Sequence, residues 1–299
     1  MSARHISLLA ALAAIWGGSY LLIKYALDGF SAGMIVSARC LLASAVLAVM
    51  GAAGPALRDL RARPKWAIIL GTTAVTAPFL LITFGEHVVP SGLTAVLISP
   101  ASLFVALLAP FIDPSERIDR RQGLGMVLGL GGVALVVGVE SIGTLGEFLG
   151  ALAMVAAAFF YALSSFVVKR RYGKLAAMET SWVSVTVAGM MTIPLAIATT
   201  PGHTPTAGSI AALVTLGAIG TAIAFIIFYK LITEVGAGRA ALVSYLAPGV
   251  ALFYGAVFRD EAITVAAVVG LVLILGGVAI ASRPRRVTVR VAAPEPAQA

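Results

Sequence analysis

Trp16 and Tyr20 stand four residues apart, the spacing that places two side chains on one face of a helix. Tyr161 and Ser165 repeat that spacing later in the chain, and Ser99, Ser244 and Tyr245 stand in similarly apolar surroundings. Hydroxyls beside aromatic rings can hold a small zwitterion. The hydroxyls and loosened backbone carbonyls take its ammonium and carboxylate, while the rings contact its side chain. The same aromatics also fit plain packing or a belt at a membrane interface. Arg39 is the one ion well inside an apolar run. It can attract a substrate carboxylate, or it can hydrogen-bond helix-end carbonyls and lock a bundle. Lys24 is similar but nearer the end of its run, where snorkelling accounts for it equally well. Glu86 and His87 close the third apolar run and are the candidates for a coupling relay; the alternative is a pair of polar residues at headgroup level. Pro100 and Pro248 fall inside apolar runs, where proline removes a backbone hydrogen bond and makes either a hinge or a static kink.

Other chemistry is missing. Each of the thirteen acids falls at the end of an apolar run, in a connection or in the C-terminal tail. A carrier that exchanges protons for organic cations needs a carboxylate at depth, so the sequence speaks for uncoupled or weakly coupled movement. There is no Gly-x-Ser-x-Gly, no His-Glu-x-x-His and no pair of Asp residues within a run, and the expectation is that the chain is not an enzyme. The histidines His5, His87 and His203 are too scattered to hold a metal, so no metal or cofactor is expected. Cys40 is the single cysteine and excludes a disulfide framework.

The elements that position these groups follow from composition. Of 299 residues 60% are hydrophobic and 11% charged, with a mean hydropathy of +1.02. A water-soluble domain carries roughly 25% charged residues. Most of this surface therefore faces something other than water, which excludes a nucleic-acid-binding protein despite the net charge of +8. A bilayer core of about 30 Å needs roughly 20 apolar residues per helix. Ten such runs are present, over 6–27, 32–50, 66–84, 91–112, 122–139, 148–168, 180–198, 209–232, 237–258 and 263–281. With the N-terminus in the cytoplasm, 18 of the 21 Lys and Arg residues fall on the inner side. The positive-inside rule then puts both termini in the cytoplasm, in a bacterial inner membrane. The tail over 283–299 is basic and then Pro/Ala-rich, and is expected to be disordered.

The halves of the chain superimpose on a shift of 145 residues. Gly125-Met-Val-Leu-Gly-Leu-Gly-Gly-Val-Ala134 overlies Gly270-Leu-Val-Leu-Ile-Leu-Gly-Gly-Val-Ala279, with eight of ten positions identical. The same shift lays Trp16 on Tyr161, Lys24 on Lys169 and Glu116 on Glu261. One shift serving several landmarks indicates duplication. Each half holds five runs, an odd number, so the second enters the membrane from the opposite side. The expectation is an all-α membrane protein of ten transmembrane helices, built as two inverted five-helix repeats over 1–140 and 146–282. Inverted repeats are the architecture of many secondary transporters, with the substrate site near the midplane.

The sequence Trp16-Gly-Gly-Ser-Tyr20 followed by Lys24, and Ala-Arg39-Cys-Leu-Leu in the second run, resemble the drug/metabolite transporter superfamily. Leu-Ala-Pro248 leading to Phe258-Arg-Asp-Glu261, and the Gly-Gly-Val-Ala ends of both halves, are similar to EamA-type ten-helix members, and the match runs to about Ser282. The resemblance implies a basket with helices 1, 3, 4, 6, 8 and 9 around a central cavity and helices 5 and 10 outside. It also implies alternating-access export of small metabolites, amino acids above all. Sugar-phosphate, nucleotide-sugar or drug-like solutes are the alternatives elsewhere in the superfamily. The small drug pumps of the superfamily carry a Glu in their first helix, and here that helix has none. Leu103 stands where the repeat would place the counterpart of Pro248. The expected partners are a small-molecule substrate and the lipid bilayer, with no nucleic acid, in a monomer or homodimer.

Overall fold

In a computed structural model describing residues 2–112, 118–140 and 144–281, every regular element is a helix. Among the described residues, eight helices are long and apolar enough to cross a membrane. They are α1 (Ala3–Leu27), α2 (Ala32–Val49), α3 (Pro64–Gly85), α4 (Ser91–Ile112), α5 (Arg120–Val139), α6 (Leu145–Tyr172), α7 (Ala177–Ala198) and α8 (Ala207–Val235). Two shorter apolar helices follow, α9 (Val243–Arg259) and α10 (Val265–Ala281). Backbone amides and carbonyls find no partner in lipid, so a helix that satisfies its own is the stable form for such runs. Large apolar side chains such as Phe111, Val127, Ile197 and Val272 remain on the outer surface. In water so much apolar surface would be a liability, and against acyl chains it is the required finish. Glu116 and the tail at 283–299 lie outside the described residues.

Helix starts follow local chemistry. Ser31 Oγ accepts from the Met34 amide at 3.3 Å, and Thr206 Oγ1 from the Ser209 amide at 3.1 Å. Thr144 and Glu147 close a reciprocal capping box at the start of α6. The connection between α2 and α3, which lies between the expected runs 32–50 and 66–84, contains a helix at Ala53–Ala62. Ala56 is buried and Leu57 and Leu60 pack on the core, while Arg58 and Arg61 point outward. That short stripe was hidden by the Gly-Pro and charge around it.

The two prolines expected as hinges both lie within spans. Pro100 has no amide to offer the Val96 carbonyl, α4 is interrupted there, and the Ser99 hydroxyl takes that carbonyl at 2.7 Å. The run expected at 237–258 is also divided. A single turn at Ala237–Ala240 precedes α9, joined by three-residue bonds such as Tyr245 N to Leu242 O at 3.1 Å. Pro248 lies buried inside α9. Wide turns of π-helical type sit within α3 at Thr72–Thr76 and within α8 at Ala218–Ile223.

Packing is pairwise. The helix α5 crosses α10 at glycines: a Cβ on Gly125 would lie 2.6 Å from the Gly277 carbonyl oxygen, and one on Gly132 would lie 2.8 Å from that of Gly270. The pair α2–α7 is polar at its seam. Ser37 Oγ donates to Gly189 O at 3.0 Å, Trp182 Nε1 to Ser44 O at 3.1 Å, and the Ser44 and Thr186 hydroxyls meet at 2.6 Å. Around these, α1 packs on α8 and α9, α6 packs on α3 and α4, and α4 packs on α9.

Candidate functional site

Arg39 projects from α2 into the protein and is buried. Its Nε donates to Thr221 Oγ1 at 2.8 Å, and its guanidinium carbon lies 4.0 Å from the Phe79 ring centroid. Thr221 belongs to the wide turn of α8, where its own hydroxyl proton goes back to Leu216 O at 3.0 Å. The guanidinium thus ties α2, α3 and α8 together. Its partners are a hydroxyl and an aromatic face, rather than helix-end carbonyls. The matching hydroxyl of the wide turn in α3, Thr76 Oγ1, is buried and has no hydrogen-bond partner among the described residues.

Three residues at successive turns of α1 share a face: Trp16, Tyr20 and Lys24. All three are half-buried. The Trp16 ring leans on Phe228 at 5.1 Å between centroids. Tyr20 and Tyr161 both lie in the electrostatic field of Arg39, and among the described residues neither hydroxyl has a hydrogen-bond partner. Glu86 departs from the headgroup-level alternative. It ends α3 yet is 0% exposed, and among the described residues neither carboxylate oxygen has a hydrogen-bond partner. Thr94 stands beside it but sends its hydroxyl proton to Pro90 O at 3.1 Å. The strongest opposite charge on Glu86 is Lys24, and the strongest on Lys24 is Glu86. His87, next in the chain, is exposed. The interior therefore holds an acid after all, and the premise behind uncoupled movement, that acids stay out of it, does not hold for Glu86.

The remaining hydroxyl candidates are not gathered with these. Ser99 and Ser165 each donate to a carbonyl of their own helix, Val96 O and Ala162 O, both at 2.7 Å. Ser244 is exposed, and Tyr245 packs on the hydrophobic core. Pro100 and Pro248 are both buried.

Each end of the bundle carries ties that composition could not reveal. At the end holding Glu86, Arg259 Nη1 meets Asp28 Oδ2 at 3.4 Å, and the Tyr25 hydroxyl donates to Phe258 O at 3.0 Å, joining α9 to α1. There Glu261 caps α4, accepting from Ser91 N at 2.9 Å and from Ser91 Oγ and Gly92 N at 3.0 Å. At the opposite end Glu234 meets Arg4 at 3.3 Å and His5 at 3.1 Å. Arg63 pairs with Asp59 and donates to Arg171 O at 2.7 Å, Arg171 lies 4.2 Å from the Trp66 centroid, and Arg170 donates to Ile112 O. No cluster of His, Cys, Asp and Glu fit for a metal occurs among the described residues.

The pattern of the EamA-like transporter family matches the chain twice, over residues 4–138 and 148–283. The chain belongs to this family. The resemblance carried by Trp16–Tyr20, Arg39 and the Gly-Gly-Val-Ala ends is thereby borne out. As an EamA-like transporter it is an integral membrane protein acting on a small molecule. It is 29% identical over 271 residues to the "Probable terminal-alkyne amino-acid exporter" of Streptantibioticus cattleyicolor, covering 90% of each chain. It is 27% identical over 279 residues to an uncharacterized transporter of Archaeoglobus fulgidus, covering 93% of this chain and 98% of that one. A crystal structure 20% identical in sequence shares the fold with a TM-score of 0.66, over 94% of this chain and 98% of that chain.

Sequence reasoning picked out Arg39 by its isolation but missed Thr221 and Phe79, which nothing local marks. It named Glu86 without seeing its burial, which depends on the helix ends packed around it.

Proposed function

We propose that this EamA-like transporter is a secondary carrier that exports small metabolites, neutral amino acids foremost, by alternating access. In this reading its helices form ten spans in two inverted five-helix repeats, over 1–140 and 146–282, with both termini in the cytoplasm of a bacterial inner membrane. One observation carries the architecture. Under the 145-residue shift, Gly125 against Gly277 becomes Gly270 against Gly132, and both contacts are present. The wide turns of α3 and α8 and the Tyr25–Phe258 and Arg170–Ile112 ties also stand at nearly exchanged positions. Two exchangeable halves around one axis suit a carrier that opens to either face in turn.

The amino-acid reading rests on the Streptantibioticus relative and on an interior with charges of both signs, Arg39, Lys24 and Glu86, beside the hydroxyls of Tyr20 and Tyr161. Trp16, Ser244 and Tyr245 are assigned to the same pathway, with Pro100 and Pro248 as its hinges, whereas Ser99 and Ser165 give their hydroxyl protons to their own helices. Purified protein in liposomes is expected to exchange labelled neutral amino acids without an imposed pH gradient. A preference for nucleotide-sugars or sugar phosphates in the same liposomes overturns the substrate class. Strict dependence on a proton gradient overturns the uncoupled mode.

A further inference from the structure

At the end of the bundle holding Glu86, several charges are already spoken for. Asp28 is engaged by Arg259, and Glu261 by the amides at the start of α4. Glu86 and Lys24 are left. Glu86 is wholly enclosed and, among the described residues, neither of its oxygens has a hydrogen-bond partner, while Lys24, half-buried on α1, reaches no carboxylate of the described residues within ion-pair distance. Each is the other's strongest counter-charge, yet a gap wider than an ion pair separates them. A carboxylate enclosed without a hydrogen bond is costly to the fold, and a merely structural acid would be expected to have its lone pairs filled. Tyr20, one turn before Lys24 on the same face, adds an unbonded hydroxyl.

We infer that Glu86 and Lys24 are the two poles of a zwitterion subsite, with the Glu86 carboxylate receiving the ammonium of an α-amino acid and Lys24 its carboxylate. The inference rests on the amino-acid reading above and assigns its charged contacts. Arg39, already bonded to Thr221 and stacked on Phe79, keeps its structural role. The bare carboxylate then has a reason: its partner is the cargo. A solute carrying both charges satisfies both poles at once, whereas an amine or an acid alone leaves one charge stranded.

The test is uptake of labelled L-leucine into liposomes containing the full chain, for the unmodified protein, Glu86→Gln, Glu86→Asp and Lys24→Met. Unlabelled 3-methylbutylamine and 4-methylpentanoate, leucine without its carboxylate and without its ammonium, serve as competitors. Glu86→Gln and Lys24→Met should each raise the KM for leucine at least tenfold with a smaller change in kcat, and Glu86→Asp should recover part of the loss. The acid should compete equally against the unmodified protein and Glu86→Gln, and the amine equally against the unmodified protein and Lys24→Met. Glu86→Gln should also melt no lower than the unmodified protein, because an enclosed carboxyl without a partner has gone, and leucine should no longer raise its Tm. Leucine transport with KM unchanged within twofold in both variants overturns this inference alone. A Glu86→Gln protein that unfolds overturns it as well, by showing a structural acid. No leucine flux in the unmodified protein overturns the amino-acid reading and this inference with it.

Discussion

Arg39 and Thr221, 182 residues apart in sequence, are joined by one hydrogen bond of 2.8 Å inside the bundle. Thr221 can accept it because α8 widens at Ala218–Ile223, which turns a residue of the helix wall toward its neighbour. Thr221→Val leaves a buried cation short of its partner and should cost about 1–3 kcal/mol. Arg39→Met should cost a similar amount or more. The double variant should cost clearly less than the two singles added, since both remove the same bond. Tm values of the four proteins in one detergent measure it. Strict additivity would show that the bond carries no stability.

The crossing of α5 and α10 has no room for side chains at its contact points. Gly132→Val sets new atoms against the Gly270 carbonyl, 2.8 Å from the first of them, and should destabilise by about 1–3 kcal/mol through forced separation. These glycines lie away from Glu86 and Arg39. The KM of the surviving folded protein should therefore stay unchanged while its Tm falls.

Tyr25 to Phe258 O ties α1 to α9 at one end, and Arg170 to Ile112 O ties α6 to α4 at the other. If the bundle rocks about its internal axis, Tyr25→Phe and Arg170→Ala should bias it in opposite directions. A net loss of about 1 kcal/mol per bond corresponds to roughly a fivefold population shift. Alkylation of a Trp16→Cys reporter from either side of the membrane should rise on one side for one variant and on the other side for the other. The native Cys40 is buried and should give little background. Changes in the same direction for both variants would remove the rocking model.

Ser99→Ala should leave the Val96 carbonyl, which Pro100 cannot serve, to the backbone amide of residue 99 at 3.2 Å. The expected loss is about 1 kcal/mol in Tm-derived stability, with leucine KM unchanged, since the hydroxyl is already committed to its own helix. A raised KM with unchanged Tm would return Ser99 to the substrate pathway.

The helices were legible because a lipid-facing helix needs an apolar run long enough to hide its backbone, and that length is visible in a single sequence. The Ala53–Ala62 helix was not, because its stripe is three residues wide and interrupted by charge. Arg39 was legible as an anomaly. Its solution was not, since Thr221 and Phe79 are ordinary residues in ordinary runs. Ser99 reads as a ligand-binding hydroxyl, although a serine just before a proline and three residues after the carbonyl that proline cannot serve already carries the other explanation. Glu86 shows the firmest limit. At a helix end, an acid facing headgroups and an acid sealed inside have the same sequence neighbours, and only the packing of other helices tells them apart.

Glu261 has a consequence for cargo. The first amides of a helix are a ready seat for phosphate, drawn by free N–H groups and the positive end of the helix dipole. At α4 that seat is taken by the protein's own carboxylate, which holds the Ser91 and Gly92 amides. A phosphorylated solute arriving there would have to evict a resident anion and meet its repulsion. At the start of α4 a phosphate would therefore meet a resident anion in place of free amides.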